Sequence, residues 1–206
     1  MKHTIYWNAK YTGAKHAFDT TRKSGEIADA IGHENITDPA HGQFALADAD
    51  KAIKQVITPD YYEALQCGTP RPLAQSNGFT WDYGIWEMAL NSTAGVINAA
   101  HTALKGENIA GSLSSGLHQA DHRSGGGFCT VNGLAVTANF MLQNDPTLKI
   151  VILDFDAHCG GGTVRTLRHL GIDQQVRQYD ISTNTFDDYT EDDTHTVTIA
   201  ENDDDY

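Results

Sequence analysis

The sequence predicts an α/β chain of three layers, with helices on both faces of a mainly parallel central sheet. Three observations carry that expectation. The apolar run Lys149-Ile150-Val151-Ile152-Leu153-Asp154-Phe155 reads as a strand buried on both faces. Segments with helical start and stop signals alternate with short β-branched runs. Glycine-rich loops follow the later strands, at the carboxyl ends where such folds gather ligands.

Taken in order, Thr4–Trp7 is a short strand of β-branched and aromatic residues, and the stretch from Tyr11 to about Lys51 is polar, with one helix near Arg22–Ile31. Thr58-Pro59 opens a second helix, with Thr58 suited to the N-cap, Pro59 to the first turn, and Gly68 just past the end. A longer helix runs from Gly84 to Lys105 and stops at Gly106; its Ala89, Ala94, Gly95, Ala99 and Ala100 allow close packing on a sheet. Ile109–Leu113 is a short strand, followed by a Gly/Ser/His loop to Cys129 and a helix over Asn132–Gln143. After the strand at 149–155, Thr163–Leu170 is helical and Val176–Ile181 is a further strand. No internal repeat or linker divides the chain, so residues 1–206 are expected to be one domain.

The net charge is −13, with 14 basic against 27 acidic residues, which argues against a phosphate-neutralising nucleic-acid surface. Nine of the carboxylates (Asp187, Asp188, Glu191, Asp192, Asp193, Glu201, Asp203, Asp204 and Asp205) fall between Phe186 and Tyr206, a run expected to be a solvated tail. Cys67, Cys129 and Cys159 form no CxxC pair and make poor material for a disulfide framework. The start carries no apolar signal region, and no stretch approaches the ~18 apolar residues of a membrane span. A cytoplasmic chain with neither a nucleic-acid nor a membrane partner is therefore expected; an oligomer is compatible with this.

The chemistry concentrates in Asp154-Phe155-Asp156-Ala157-His158. If the chain stays extended there, positions 154, 156 and 158 point to one side. A carboxylate and an imidazole two residues apart suit Zn²⁺, which takes O and N ligands tetrahedrally. The competing reading is an Asp that caps the next helix, with His158 a chance neighbour. Gly160-Gly161-Gly162 permits close backbone approach, and a second polar loop carries His118 and His122 beside Gly125-Gly126-Gly127-Phe128.

Three ordered blocks, Ser115-Gly116-Leu117-His118-Gln119-Ala120, Gly127-Phe128-Cys129-Thr130-Val131-Asn132-Gly133 and Leu153 through Thr163, resemble the bacterial branch of the histone deacetylase family, of the arginase/deacetylase fold. The likeness runs more loosely through Thr58–Ala74 and Gly78–Asp82. The resemblance implies a zinc-dependent deacetylase acting on an acetyl-amide of the acetyl-lysine or acetylpolyamine type. It implies Asp156 and His158 as zinc ligands, and Asp154 and Ser182 at a structural monovalent cation such as K⁺. His118 is implied as the first histidine of the catalytic pair, and Gly127 and Phe128 as the wall of the acyl-chain tunnel.

Three positions depart from the family pattern. Gln119 stands where the second, acid/base histidine is expected, and Gly161 stands where an Asp or Asn orients that histidine. Cys159 replaces a further histidine. The family's third zinc ligand and its oxyanion-binding Tyr have no match within Thr183–Tyr206, so the chain is expected to be an N-terminal portion of the fold. Neither Tyr189 nor Tyr206 has motif support, and Asn202–Tyr206 reads as the start of a helix. The alternative is therefore a catalytically impaired deacetylase-like fragment that binds an acyl-amine or a protein partner. An arginase-like dinuclear manganese site ranks last, because position 160 is Gly where that chemistry needs Asp.

Overall fold

The structure, a computed structural model, describes residues 3–14 and 19–202. The expected parallel α/β architecture is present, with its strands in two separate sheets. β1 (Thr4–Tyr6) lies between β2 (Ile36–Thr37) and β3 (Ala110–Ser112), all parallel. The second sheet has the order β4 (Ile150–Asp154), β5 (Val176–Ser182), β6 (His195–Ile199), again all parallel, with Asp154 opposite Asp180 in the ladder.

The helices are α1 (Asp19–Ile31), α2 (Leu46–Val56), α3 (Pro59–Cys67), α4 (Arg71–Ala74), α5 (Tyr83–Thr102), α6 (Gly133–Asn144) and α7 (Gly161–Leu170). α3 starts and stops at the expected residues, with Gly68 left-handed at its end. Thr58 differs in one respect: its side chain makes no cap, and its backbone N–H instead donates to the carbonyl of His122 at 2.8 Å. α5 ends three residues early and continues as a π-turn through Ala103–Glu107, with Gly106 at φ 127°.

α5 is central. Trp86, Ala89, Ala94 and Ile97 pack with Ile53, Val56, Tyr61 and Leu65 of α2 and α3, and with Val136 of α6. A second cluster joins Ala135, Ala138 and Leu142 of α6 to Leu167 of α7 and Val176, covering one face of β4 through Ile150 and Ile152.

The expectation that the 149–155 strand is buried on both faces is corrected. Val151 and Leu153 are 56% and 60% exposed, because among the described residues only the Ile150/Ile152 face is covered by helices. β4 is an edge strand, and beside it a cavity of about 500 Å³ is lined by apolar residues of α5 and α6 (Val96, Ala100, Ala138, Met141) and by β4 itself. The acidic C-terminal run is corrected as well. It contains β6, and Asp187 and Asp192 are paired with Arg165 and Arg168 of α7 at 2.8 and 2.7 Å, so it packs on β5 and α7 as far as residue 199. The helix expected from Asn202 lies almost wholly outside the described residues. Among those residues, no helix is long and apolar enough to cross a membrane.

The three cysteines are free thiols; Cys67 is exposed, whereas Cys129 and Cys159 are buried. Burial pushes the Cys129 thiol up to about 12 and raises that of Cys159. Alkylation of the native protein at pH 8 should therefore modify Cys67 alone, with the other two reacting only on unfolding, as intact-mass spectrometry can read.

Candidate active site

The site forms where β4 ends. Asp154, its last residue, accepts a 2.7 Å hydrogen bond from Nδ1 of His118, and both side chains are nearly buried. Its other oxygen accepts the backbone N–H of Asp156 at 3.0 Å. Here the expectation of a straight extended run is corrected: the chain bends through 156–158, and the Asp156 carboxylate turns back to accept the His158 N–H at 2.9 Å. The bend brings Asp156 Oδ1 to 3.1 Å from His158 Nδ1, and leaves it 3.6 Å from His118 Nε2. Two imidazoles thus face one carboxylate oxygen.

That spacing tests a metal directly. Donors about 2.0–2.1 Å from one tetrahedral Zn²⁺ sit about 3.3 Å from each other, so Asp156 Oδ1 and His158 Nδ1 fit two corners of one coordination sphere. Their side chains are half exposed, open to an incoming ion. Among the described residues, no three His, Cys, Asp or Glu side chains gather in a form that could hold a metal alone. The donor set present is half a site.

His118 has a raised pKa. Burial works to lower it, and the hydrogen bond and charge of Asp154, with Asp156 and Asp180 behind, outweigh burial. Asp154 also fixes the tautomer: with Nδ1 protonated and donating to the carboxylate, Nε2 is the atom turned toward Asp156.

A second carboxylate, Asp180, went unnoticed in the sequence. It stands opposite Asp154 across the β4–β5 ladder and is buried; burial raises its pKa, and the Asp154 charge adds to that. It accepts the Gly160 N–H at 2.7 Å and a Gln178 amide N–H at 2.8 Å. A Cβ at Gly160 would lie 2.6 Å from Gln178 Nε2 and 2.8 Å from Asp154 Oδ2, so a side chain there would displace those two tips. On the same strand, the Ser182 hydroxyl and the Gln178 carbonyl oxygen are buried with no hydrogen-bond partner among the described residues. Buried oxygens without donors, on the strand that carries Asp180, suit a cation.

The His118 loop is held by Asn132, which the sequence marked only as part of a block. Its Nδ2 donates to the carbonyls of His118 (3.2 Å) and Ala120 (2.9 Å) and to Thr163 Oγ1 (2.9 Å), while its Oδ1 caps α6 at the Ala135 N–H. Asn132→Ala strands these groups and should lower stability by about 2 kcal/mol in urea unfolding.

Gly127 and Phe128 are the two central residues of a tight turn between Gly126 and Cys129, both at positive φ (50° and 65°), as a type I′ turn requires. Phe128 is 42% exposed at the tip, its ring 5.3 Å from that of Phe79. Gln119 is buried, and its carboxamide fills the space that a side chain at 127 would need; its Oε1 has no donor among the described residues. His122, the second histidine of this loop, is half buried and stacked on His169 of α7 at 3.7 Å.

A sequence profile described as the histone deacetylase domain matches residues 22–192. The chain belongs to the histone deacetylase family. Among relatives of this deacetylase-family chain, an uncharacterized protein of Picosynechococcus is 35% identical over 112 residues, 54% of this chain and 37% of that one. Acetylpolyamine amidohydrolase of Mycoplana ramosa is 41% identical over 84 residues, 39% of this chain and 24% of that one. The chain therefore spans well under half the length of these curated relatives. The crystal structure of an HDA15 HD domain superposes with a TM-score of 0.66 at 16% identity, covering 87% of this chain and 53% of that one, which shows the shared fold.

Proposed function

We propose that this site belongs to a zinc-dependent deacetylase that hydrolyses an acetyl-amide of the acetyl-lysine or acetylpolyamine type. The observation that carries the reading is the convergence of His158 Nδ1 and His118 Nε2 on Asp156, behind which Asp154 locks His118. Asp156 and His158 would hold the zinc. When bound, the ion supplies Lewis acidity, polarising the amide carbonyl and lowering the pKa of a water toward ~7.

The rest falls to this chain's own groups. His118 Nε2 takes the proton of the attacking water and returns it to the leaving amine, while Asp154 holds Nδ1 and offsets the imidazolium charge. Gln119, in the expected acid/base position, can neither take nor give a proton at neutral pH, so its carboxamide only shapes the wall beside Gly127. The Gly127–Phe128 turn, with Phe79 behind it, lines the approach for the acyl-bearing side chain. Asp154 and Ser182, with Asp180, would hold the monovalent cation, for which the orphan Ser182 oxygen is the supporting observation. The three free thiols suit a reducing cytoplasm.

A second reading, an acyl-amine-binding member of the family without turnover, is favoured by Gln119, Gly161 and the two-ligand donor set. Zinc-dependent acetate release from an acetyl-lysine amide by the whole protein separates the two. The first reading expects release that disappears in His158→Ala and rises in Gln119→His. Release unchanged in His158→Ala would overturn the site assignment, and no release with retained ligand binding would establish the second reading.

A further inference from the structure

The space that Gly161 leaves is filled. The backbone carbonyl of Asp187 lies where a Cβ at 161 would stand, with Arg165 Nη1 2.8 Å from that point. The Asp187 carboxylate is spent on the same spot. One oxygen accepts the Gly162 N–H at 2.9 Å and the other pairs with Arg165 Nη2 at 2.8 Å. Arg165 reaches on, its Nε 3.4 Å from Asp121 in the His118 loop, and Asp121 in turn accepts the backbone N–H groups of Arg123 and Ser124.

Residues 183–187 run as a strap along the ligand-bearing bend. Thr183 N–H and Asn184 Nδ2 donate to the Ala157 carbonyl at 3.0 and 3.2 Å, and the Cys159 N–H donates to the Phe186 carbonyl at 3.0 Å. The Phe186 ring meets His158 edge-on, with centroids 5.4 Å apart. Asp187 closes the strap in a left-handed conformation, φ 60°, with its side chain mostly buried. Non-glycine residues held in that region cluster at functional sites. Nothing in the metal or proton-transfer chemistry described above uses this carboxylate.

We propose that Asp187 is a positioning residue: from the loop after β5 it brings its backbone carbonyl into the space left at Gly161 and its carboxylate to the Gly162 N–H and Arg165, and by anchoring the strap there it holds Phe186 against the His158 ring. Arg165 is its counter-charge and links the strap to the His118 loop. The inference rests on the proposed metal-ligand role of His158, and is read both with and without metal. Partners beyond the ligands themselves typically change metal affinity by about 10–100-fold when removed.

The test titrates the full chain with Co²⁺, following the visible d–d absorption, and records long-range ¹H–¹⁵N spectra of the His158 ring and the Gly162 amide without metal. Asp187→Ala is expected to weaken Co²⁺ binding about tenfold and to shift both the His158 ring and Gly162 amide signals. Asp187→Asn, which keeps an acceptor for Gly162, should recover most of the affinity. Asp192→Asn breaks the neighbouring Arg168–Asp192 pair and controls for stability; it should leave the affinity and the His158 signals unchanged. Unchanged affinity and unchanged His158 signals in Asp187→Ala would overturn the proposal, as would an equal effect from Asp192→Asn. Should the wild type not bind Co²⁺, the metal reading falls, and the metal-free His158 signals alone decide the role of Asp187: movement supports it and stasis overturns it.

Discussion

Turnover of an acetyl-lysine amide by the whole protein is expected to fall about 10²–10⁴-fold when His118 is replaced by alanine, with KM little changed. The reason lies in the geometry on either side of the ring. Nδ1 is committed to Asp154 at 2.7 Å, leaving Nε2 as the atom that faces the Asp156 side of the site. With Gln119 in the second position, the other imidazole of the His118 loop is His122, whose ring is stacked on His169. Asp154→Asn should lower kcat less, since the ring remains while its orientation and charge support are lost. Steady-state kinetics on the two variants checks this, and a His118→Ala enzyme with wild-type kcat would remove His118 from the mechanism.

Gly162→Ala should destabilise the fold by about 3 kcal/mol. A Cβ there would stand 2.5 Å from the backbone carbonyl oxygens of Gln119 and Ala120. Neither can swing aside as a side-chain tip would, so the start of α7 must separate from the His118 loop. That separation also strains the Thr163 N–H bond to the His118 carbonyl, 2.9 Å long. Gly171, at the end of α7, offers the contrast: at φ 68° with nothing within 4 Å, its replacement by alanine meets only the left-handed backbone penalty, about 1 kcal/mol. Urea unfolding with unchanged m-values measures both. Equal costs at the two glycines would show that the contact with the His118 loop is not tight.

Much of this architecture was legible from local signals. Pro59 and Gly68 bracket α3 because each residue does there what its backbone chemistry favours, and the apolar run at 150–154 is a strand as expected. α2 escaped notice because Asp48, Asp50 and two lysines interrupt the apolar spacing of Leu46, Ala49, Ala52, Ile53 and Val56, and Ala45 is no N-cap signal. β6 escaped because its short alternating run, His195–Ile199, sits inside the acidic segment.

The site divides in the same way. Asp156 and His158 are visible because they lie two residues apart along the chain, and His118 because its block accompanies theirs. Asp180 and Asp187 are not, since each reaches the site through register or a loop: Asp180 by standing opposite Asp154 across a parallel ladder, Asp187 by folding back onto α7. A carboxylate at the carboxyl end of a second parallel strand was the signal available for Asp180. No local pattern points to Asp187, whose role depends on the absence of a side chain twenty-six residues earlier.

The most direct test of the account is zinc binding by the whole protein, followed by calorimetric titration and by X-ray absorption at the zinc edge. One ion per chain is expected, with both imidazole nitrogen and carboxylate oxygen among its ligands, and that ion is expected to be lost in Asp156→Ala and in His158→Ala. A protein that takes up no zinc, or binds it equally well in both variants, would contradict it.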